Sequence, residues 1–245
     1  MSHAAVIARI GGAVATAFAA FAGIAATTVA MSGTAMAADA AHPVVIELYQ
    51  SQGCSSCPPA NANVLALSNR PDVLALSFQV TYWDQLGWKD TFASPQYTAR
   101  QWEYARAFRH GEVWTPQVVV NGRVDVVGAR HGEVEGAIAR ADRGVGGPVV
   151  DIADGRVTVS GTGSATHADV WLVRYDPNVV QVAIRAGENG GRTLPHKNVV
   201  RQLVRLGDWS GSTRSYALPT SQGGLKMAVL VQDGRGGSIL AAARV

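Results

Sequence analysis

Two cysteines, Cys54 and Cys57, constrain this 245-residue chain more than any other feature of its sequence. They are three positions apart, and the sequence contains no other cysteine. A structural disulfide gains most when it joins distant segments, because closing a long loop restricts the unfolded chain most. A three-residue separation gains little of that restriction. The spacing therefore favours a redox-active or metal-binding pair over a purely structural disulfide.

The sequence around the pair predicts a strand-to-helix junction. Residues 44–49 form a short β-rich apolar run, residues 50–53 form a turn, and residues 61–67 have the composition of a helix. Free N–H groups and the helix dipole at such a junction stabilise a thiolate and lower its pKa. We therefore expect Cys54 to be the exposed attacking sulfur and Cys57 to resolve the mixed disulfide.

The next segments predict further elements of a βαβ unit. The pattern indicates a second strand, a long helix that begins with Ser94 as its N-cap, a β-hairpin around an Asn121-Gly122 turn, and a closing helix. These elements cover residues 72–80, 94–109, 117–127 and 131–141. The helix between the first two strands is the crossover that parallel strands need.

Two short motifs resemble the thioredoxin superfamily. The sequence Cys54-Ser55-Ser56-Cys57 follows a strand, and Thr115-Pro116 precedes the first hairpin strand, as in that superfamily's active-site pair and cis-proline loop. The resemblance implies that Pro116 is cis. It also implies that this loop faces the sulfurs and pairs with an extended substrate peptide.

A closer resemblance is to a secreted bacterial family of thioredoxin-like proteins, DUF1223. It rests on segments 47–60, 82–84 and 86–90, and the likeness covers nearly the whole mature chain. This resemblance implies an α/β thioredoxin-like fold, without an established substrate. Residues 55 and 56 are serines where thioredoxin has a Gly-Pro pair, so the redox potential does not carry over.

Four residues outside the motif are candidates for the site. An acid beneath the disulfide often relays protons in this superfamily, and Glu47 is the only acid on the first strand. Its offset of seven residues from Cys54 leaves a proton relay and a strand-end surface residue as alternatives. Trp83, Asp84 and Trp88 lie in a loop at the carboxyl end of a strand, where open α/β sheets bind ligands. We expect them around the thiols, with a packing cluster as the alternative.

The first 37 residues have the pattern of a signal peptide. One positive residue, Arg9, precedes an apolar stretch over residues 10–31, and Ala35-Met36-Ala37 is a cleavage signal. A retained membrane anchor is the alternative. We expect cleavage near Ala37, a periplasmic or secreted protein, and no stable membrane insertion after processing.

The pattern changes after a Gly/Pro cluster at residues 144–148. Strand-like runs then occupy residues 149–152, 157–160, 168–175, 179–184, 225–232 and 239–245, and segment 198–206 fits strand and helix periods equally badly. We therefore predict a thioredoxin-like domain over residues 38–147 and a smaller all-β, sandwich-like domain over residues 148–245. Segment 187–192 is predicted to be a hairpin connection, because it lacks the ending of a phosphate-binding loop.

Composition and charge exclude several classes of protein. A content of 47% hydrophobic and 16% charged residues is typical of a packed globular chain and excludes disorder. The formal net charge of +3 is too small and too scattered for a nucleic-acid-binding stripe, so no nucleic acid is expected as a partner.

These features predict an exported thiol–disulfide oxidoreductase that acts on protein thiols or disulfides in the cell envelope. It requires a separate redox partner but no cofactor and no metal, and the direction of electron flow stays open. One alternative is a module for Cu(I) or Zn(II), in which His110 or Asp84 completes a site with the cysteines. Another is a non-enzymatic binding protein with an inert disulfide.

Overall fold

The structure is a computed structural model that describes residues 37–161, 167–220 and 223–245. Except for its last residue, the predicted signal peptide lies outside the described residues. Within the described residues, the helices are too short or too polar to cross a bilayer.

The described part of the chain contains 13 strands and three α-helices. The first half comprises β1 (Val44–Gln50), α1 (Pro58–Leu67), β2 (Val73–Gln79), α2 (Pro95–Ala107), β3 (Gln117–Val120), β4 (Val124–Val127) and α3 (His131–Ala141). The second half comprises β5 (Val149–Ala153), β6 (Arg156–Ser160), β7 (Ala168–Asp176), β8 (Val180–Ala183), β9 (Thr193–His196), β10 (Val199–Trp209), β11 (Arg214–Ala217), β12 (Lys226–Asp233) and β13 (Ile239–Arg244). A short 3-10 helix, Asp84–Leu86, follows β2.

Eight strands form one mixed sheet in the order β13-β12-β7-β10-β2-β1-β3-β4. Strands β1 and β2 are parallel, with Val44 opposite Val73, and α1 makes the connection between them. Strand β10 joins the other edge of β2, also in parallel, with Val199 opposite Ser77. The sheet therefore continues across the predicted boundary between residues 147 and 148.

The predicted fold class, an α/β thioredoxin-like domain followed by a smaller all-β domain, is wrong. The chain is mostly β, and its large mixed sheet takes strands from both halves. Backbone contacts explain the difference, because the free edge of β2 is occupied by the start of β10. The Ser77 N–H donates to the Asn198 carbonyl oxygen at 2.9 Å, and the Asn198 Nδ2 donates to the Ala75 carbonyl oxygen at 2.8 Å. The sequence pattern marks individual strands but not which edges meet.

Each face of the large sheet is covered by apolar packing. Helix α2 packs Tyr97 and Tyr104 on one face, and α1 and α3 pack Val64 and Ile138 on the other. A smaller sheet of β11, β6 and β5 shares a third apolar cluster with the part of the large sheet that β7 and β12 form.

Two loops leave the sheet at the carboxyl ends of the parallel strands β1 and β2. The turn after β1 leads to the cysteines, and the loop after β2 leads to α2. Ser94 caps α2 as predicted, because its side chain accepts from the Gln96 N–H at 3.3 Å, and Pro95 occupies the first turn. The Ser94 N–H donates to the Gln79 carbonyl oxygen at 3.2 Å, so α2 begins directly at the end of β2.

Candidate functional site

Cys54 and Cys57 form a disulfide at the start of α1, with their Cα atoms 5.4 Å apart. Cys57 is the N-cap of α1, and its carbonyl oxygen accepts from the Asn61 N–H at 3.1 Å. Two prolines follow directly in the first turn, where a missing N–H costs no helical hydrogen bond. Cys57 is therefore fixed by the helix, and Cys54 lies in the preceding turn.

The two serines between the cysteines are exposed, but the cysteines are not. The exposed fraction is 0% for Cys54 and 1% for Cys57. The expectation of an exposed Cys54 is therefore not met in this disulfide form. The hydroxyl oxygen of Ser56 lies 3.2 Å from the Cys54 Sγ, close enough to donate a hydrogen bond to that sulfur.

A loop from the second half of the chain binds the backbone around Cys54. Residues 187–192 connect β8 and β9 as a hairpin connection, as the sequence predicts, and we name them the cover loop. Asn189 is fully buried in this loop. Its Nδ2 donates to the Gln52 carbonyl oxygen at 2.9 Å and to the Cys54 carbonyl oxygen at 2.8 Å. The backbone on the N-terminal side of the disulfide is thus bound directly by the cover loop.

Glu188 makes a second attachment of the cover loop. Its Oε2 accepts from the Ser55 hydroxyl at 2.7 Å and from the Ser55 N–H at 3.0 Å. These hydrogen bonds, the hydroxyl first, hold the pKa of the Glu188 carboxyl below its ordinary value. Glu188 is therefore an ionised acceptor at neutral pH. Neither Glu188 nor Asn189 was a candidate from the sequence, since they lie more than 130 residues from the cysteines and have no motif of their own.

The tryptophans of the loop after β2 lie beside the turn that precedes Cys54. Trp88 donates from its Nε1 to the Gln52 Oε1 at 2.9 Å. A methyl group on the Cα of Gly53 would lie 3.8 Å from the Cβ of Trp83. The structure thus brings both tryptophans to the turn that carries Cys54.

Asp84 and Asp90 organise this loop rather than contact the sulfurs. The Asp84 Oδ1 accepts from the Asp90 N–H at 3.1 Å. Asp90 is buried, and its two carboxyl oxygens accept from the Gln52 N–H at 2.7 Å and from the Phe92 N–H at 2.8 Å. Burial raises the pKa of Asp90 to about 6. Asp90 ends segment 86–90 of the family resemblance, but it was not a site candidate, because an acid in a polar loop is usually a surface residue.

The Thr115–Pro116 bond is cis, as the resemblance implies. The Pro116 carbonyl oxygen accepts from the Gly128 N–H at 2.9 Å. Tyr49 is opposite Gln117 in the β1–β3 pair, so the antiparallel register places Pro116 beside the end of β1. Proximity of the Thr115 backbone to the sulfurs stays a prediction.

Glu47 is neither a surface residue nor in contact with the cysteines. Its carboxylate accepts from the Arg100 Nε at 2.7 Å, from the Tyr104 hydroxyl at 2.6 Å and from the Tyr49 hydroxyl at 2.8 Å. These partners lie on the face of the sheet that α2 covers, whereas Cys57 begins the helix on the opposite face. The contacts assign Glu47 to an ion pair between β1 and α2.

A buried amide pair lies on the face that Glu47 does not occupy. The Gln50 Nε2 donates to the Asn61 Oδ1 at 2.7 Å, and both residues are buried. This contact joins the last residue of β1 to the first half of α1, directly after Cys57. Neither residue of this pair is an acid, so the pattern that makes Glu47 a candidate does not point to it.

The structure does not assemble a metal site from the cysteines. The His110 Nε2 lies 3.1 Å from the Asp125 Oδ2, and Asp84 is engaged in its own loop. The group of possible metal ligands within the described ranges is away from the cysteines: His167, Asp169 and Asp208. Both carboxylates of that group bind the guanidinium of Arg205, which explains their proximity without an ion.

Comparisons with known proteins identify one family and two similar structures. A crystal structure of the protein AGR_C_4864 from Agrobacterium tumefaciens is 31% identical, with a TM-score of 0.69, and the match covers 84% of this chain and 94% of that one. HBP35 of Porphyromonas gingivalis shares the fold alone, at 12% identity and a TM-score of 0.55, over 84% of this chain and 75% of that one. No curated protein matches the chain at a significant level. Residues 45–232 match the family described as "Protein of unknown function (DUF1223)". The chain therefore belongs to the DUF1223 family.

Proposed function

We propose that this protein is a thiol–disulfide oxidoreductase that uses Cys54 and Cys57. The observation that carries the proposal is the disulfide itself, which joins residues three apart at the N-terminal end of a helix. A bridge this short closes almost no loop, so it contributes little to stability. Its placement instead suits reversible chemistry, because helix dipole and N–H groups stabilise a thiolate there.

The proposed thiol–disulfide exchange transfers two electrons and can run in either direction. In the reduced form, the Cys54 thiolate attacks one sulfur of a substrate disulfide, and the other substrate sulfur leaves as a thiolate. The Cys57 thiolate then attacks the Cys54 Sγ, the substrate's second sulfur leaves, and the Cys54–Cys57 disulfide forms. The substrate is reduced and the protein is oxidised. The reverse sequence oxidises a substrate dithiol, and a separate dithiol or disulfide protein regenerates the starting state.

Neighbouring groups support these roles. The Ser56 hydroxyl lies 3.2 Å from the Cys54 Sγ and can stabilise the thiolate that leaves or attacks. Cys57 is held by the α1 N-terminus, with its carbonyl bound to Asn61. The cis peptide of Thr115–Pro116 lies beside the end of β1, at the same edge of the sheet. Cys54 is thus the exchanging residue and Cys57 the resolving one.

We place this chemistry outside the cytoplasm. The apolar stretch of residues 10–31 followed by Ala35-Met36-Ala37 supports export and cleavage near Ala37. Disulfides persist in such oxidising compartments. The substrates we propose are thiols or disulfides of envelope proteins.

The test compares the two single-cysteine variants of the reduced, full mature chain. With glutathione disulfide as the probe, Cys57→Ser should accumulate one stable glutathione adduct on Cys54, because the resolving thiol is absent. Cys54→Ser should form the adduct far more slowly, since Cys57 is fixed in the first turn of α1. Intact mass spectrometry over time measures both rates. A protein disulfide such as that of insulin serves as a second probe.

Wild-type protein is the control and should release the adduct through Cys57. Equal, background rates of adduct formation in the two variants would rule out the oxidoreductase. The same result would favour a binding protein with an inert disulfide, an alternative to which the burial of Cys54 and Cys57 gives specific support.

A further inference from the structure

Thiol–disulfide exchange requires an incoming sulfur to approach along the S–S axis. The described structure blocks that approach, because both cysteines are buried. Direct attack on Cys54 therefore needs a movement of whatever covers it. The cover loop is attached directly to this segment, because Asn189 binds the carbonyl oxygens of Gln52 and Cys54 and Glu188 binds Ser55.

The cover loop is organised internally and rests on a separate hairpin. The Gly190 N–H donates to the Gly187 carbonyl oxygen at 3.0 Å, and the Arg192 Nη1 donates to the Asn189 Oδ1 at 2.7 Å. Strands β8 and β9 form a two-stranded sheet outside the two larger sheets. A two-stranded sheet has no third strand to hold it, so it opens at lower cost than the central strands of the large sheet do.

Two glycines let the cover loop contact the loop after β2. Gly87 has a φ of +97° and Gly187 a φ of +72°, conformations that favour glycine. A methyl group on Gly187 would lie 3.2 Å from the Cβ of Trp88 and 3.5 Å from the Leu86 carbonyl oxygen. The closed position thus depends on a close approach that a side chain at residue 187 would disturb.

Glu188 is the exposed attachment and Asn189 the buried one. Glu188 accepts two hydrogen bonds from Ser55 at the protein surface. Exposed charged contacts of this kind are weak and exchange readily with water. When the Glu188–Ser55 contact breaks, the N–H and hydroxyl of Ser55 become free to donate to the carbonyl oxygen of an incoming peptide.

We propose that the cover loop controls access to Cys54, with Glu188 holding it closed on Ser55. This inference rests on the proposed function and deepens it. Glu188 is a residue that determines which substrates reach Cys54, since it must be displaced by a peptide that offers its own acceptors. Asn189 positions the Cys54 backbone in the closed state.

The test measures how fast dithiothreitol reduces the Cys54–Cys57 disulfide in the folded, oxidised chain. Glu188→Ala and Gly187→Ala should each be reduced about two- to tenfold faster than wild type. The first variant loses both exposed hydrogen bonds to Ser55, and the second disturbs the close approach of residue 187 to Trp88. Glu188→Gln should lie between wild type and Glu188→Ala, because an amide oxygen is a weaker acceptor than a carboxylate. Quenching with iodoacetamide and intact mass gives the reduced fraction over time.

Glu133→Ala is the matched control, because Glu133 pairs with Arg130 on the surface of α3. Its reduction rate should equal that of wild type. Reduction rates should also be flat at low urea concentrations, since opening a loop exposes little surface. A steep increase with urea would show that reduction proceeds through global unfolding and would overturn the inference.

Wild-type rates in both Glu188→Ala and Gly187→Ala would overturn it as well. These measurements use a small reductant on the existing disulfide, so they do not depend on a natural substrate. The glutathione adducts of the cysteine variants test the proposed function separately.

Discussion

Arg100 and Glu47 form a buried ion pair that joins α2 to β1. Their side chains are 2% and 1% exposed. The guanidinium uses Nε and Nη2 for the two carboxylate oxygens and Nη1 for the Gln232 Oε1 at 3.0 Å. All three guanidinium nitrogens are thus engaged, and removing one partner of such a buried ion pair is strongly destabilising.

We predict that Arg100→Leu lowers the free energy of unfolding by about 3–5 kcal/mol, because it leaves the Glu47 carboxylate buried without a counter-charge. The double variant Glu47→Leu, Arg100→Leu should recover most of that loss, since neither charge is then buried. Urea unfolding followed by circular dichroism gives both values. A single variant within about 1 kcal/mol of wild type would contradict the assignment of a strong buried pair.

Phe92 of the loop after β2 packs against His196 of β9. The loop also contains the buried acid Asp90, so two buried titratable groups lie on either side of Phe92. Asp90 accepts from the Phe92 N–H, and the ring centroids of Phe92 and His196 are 6.0 Å apart. Burial raises the pKa of Asp90 to about 6 and lowers the pKa of His196 to about 4. Both shifts come first from loss of water, which disfavours the charged form of each group.

The two shifts affect stability in opposite directions over the same pH range. The stabilisation that the raised pKa of Asp90 adds to the free energy of unfolding is fully present below its ordinary pKa of 3.8. It is lost as the pH rises through about 6. The contribution of His196 is fully present above its ordinary pKa of 6.5 and is lost as the pH falls through about 4. Between pH 4 and 6 the two contributions therefore oppose each other in the wild type.

Separate variants should reveal the two slopes. As the pH rises from about 4 to 6, the free energy of unfolding of His196→Leu should fall, because, of these two groups, only Asp90 remains. That of Asp90→Asn should rise over the same range, because only the His196 contribution remains. Urea unfolding at several pH values measures the slopes, with wild type as reference. Slopes of the same sign in the two variants would contradict the burial of one of these groups.

Elements that depend on local chemistry could be predicted from the sequence. The Asn121-Gly122 turn appears with both residues at positive φ, and Ser94 caps α2. Strand β10 was ambiguous because it has two irregularities, between Val200 and Gln202 and between Arg205 and Gly207, which break the alternation of a regular strand. Strand β9 was missed because it is four residues long and contains a proline.

Contacts between distant segments could not be predicted. The sequence located the cysteines, the tryptophans beside Gly53 and the cis proline, all of which belong to recognisable motifs. It did not locate the cover loop, because the hydrogen bonds of Asn189 to Gln52 and Cys54 depend on where a whole hairpin lies. A single sequence contains no local signal for such a contact.

At the scale of the molecule, β10 and its neighbours complete the sheet that β1 and β2 begin. Gln232 of β12 donates to the Tyr104 hydroxyl at 3.0 Å, and Arg244 of β13 donates to the Val73 carbonyl oxygen at 2.7 Å. The third apolar cluster also includes strands from both sheets. Residues after 147 therefore stabilise elements that come before it.

We predict that a fragment of residues 38–147 does not form a stably folded domain on its own and therefore shows no cooperative unfolding transition. The fragment would expose the edge of β2 and leave the Arg100 and Tyr104 side chains without Gln232. Thermal melts by circular dichroism and one-dimensional proton NMR compare it with residues 38–245 under the same conditions. A sharp transition and dispersed amide resonances in the fragment would show that the first half folds independently.

The contact between Ser55 and Glu188 joins residues 133 positions apart. Chains are synthesised at about 5–20 residues per second, so the cysteines precede the loop that covers them by about 10 s. Contacts of such large sequence separation also form late in folding. During biogenesis the two thiols are therefore open to an oxidant before the hairpin closes over them. In the exported protein that we propose, an oxidant that meets the chain before this hairpin folds forms the Cys54–Cys57 disulfide without having to open the cover loop.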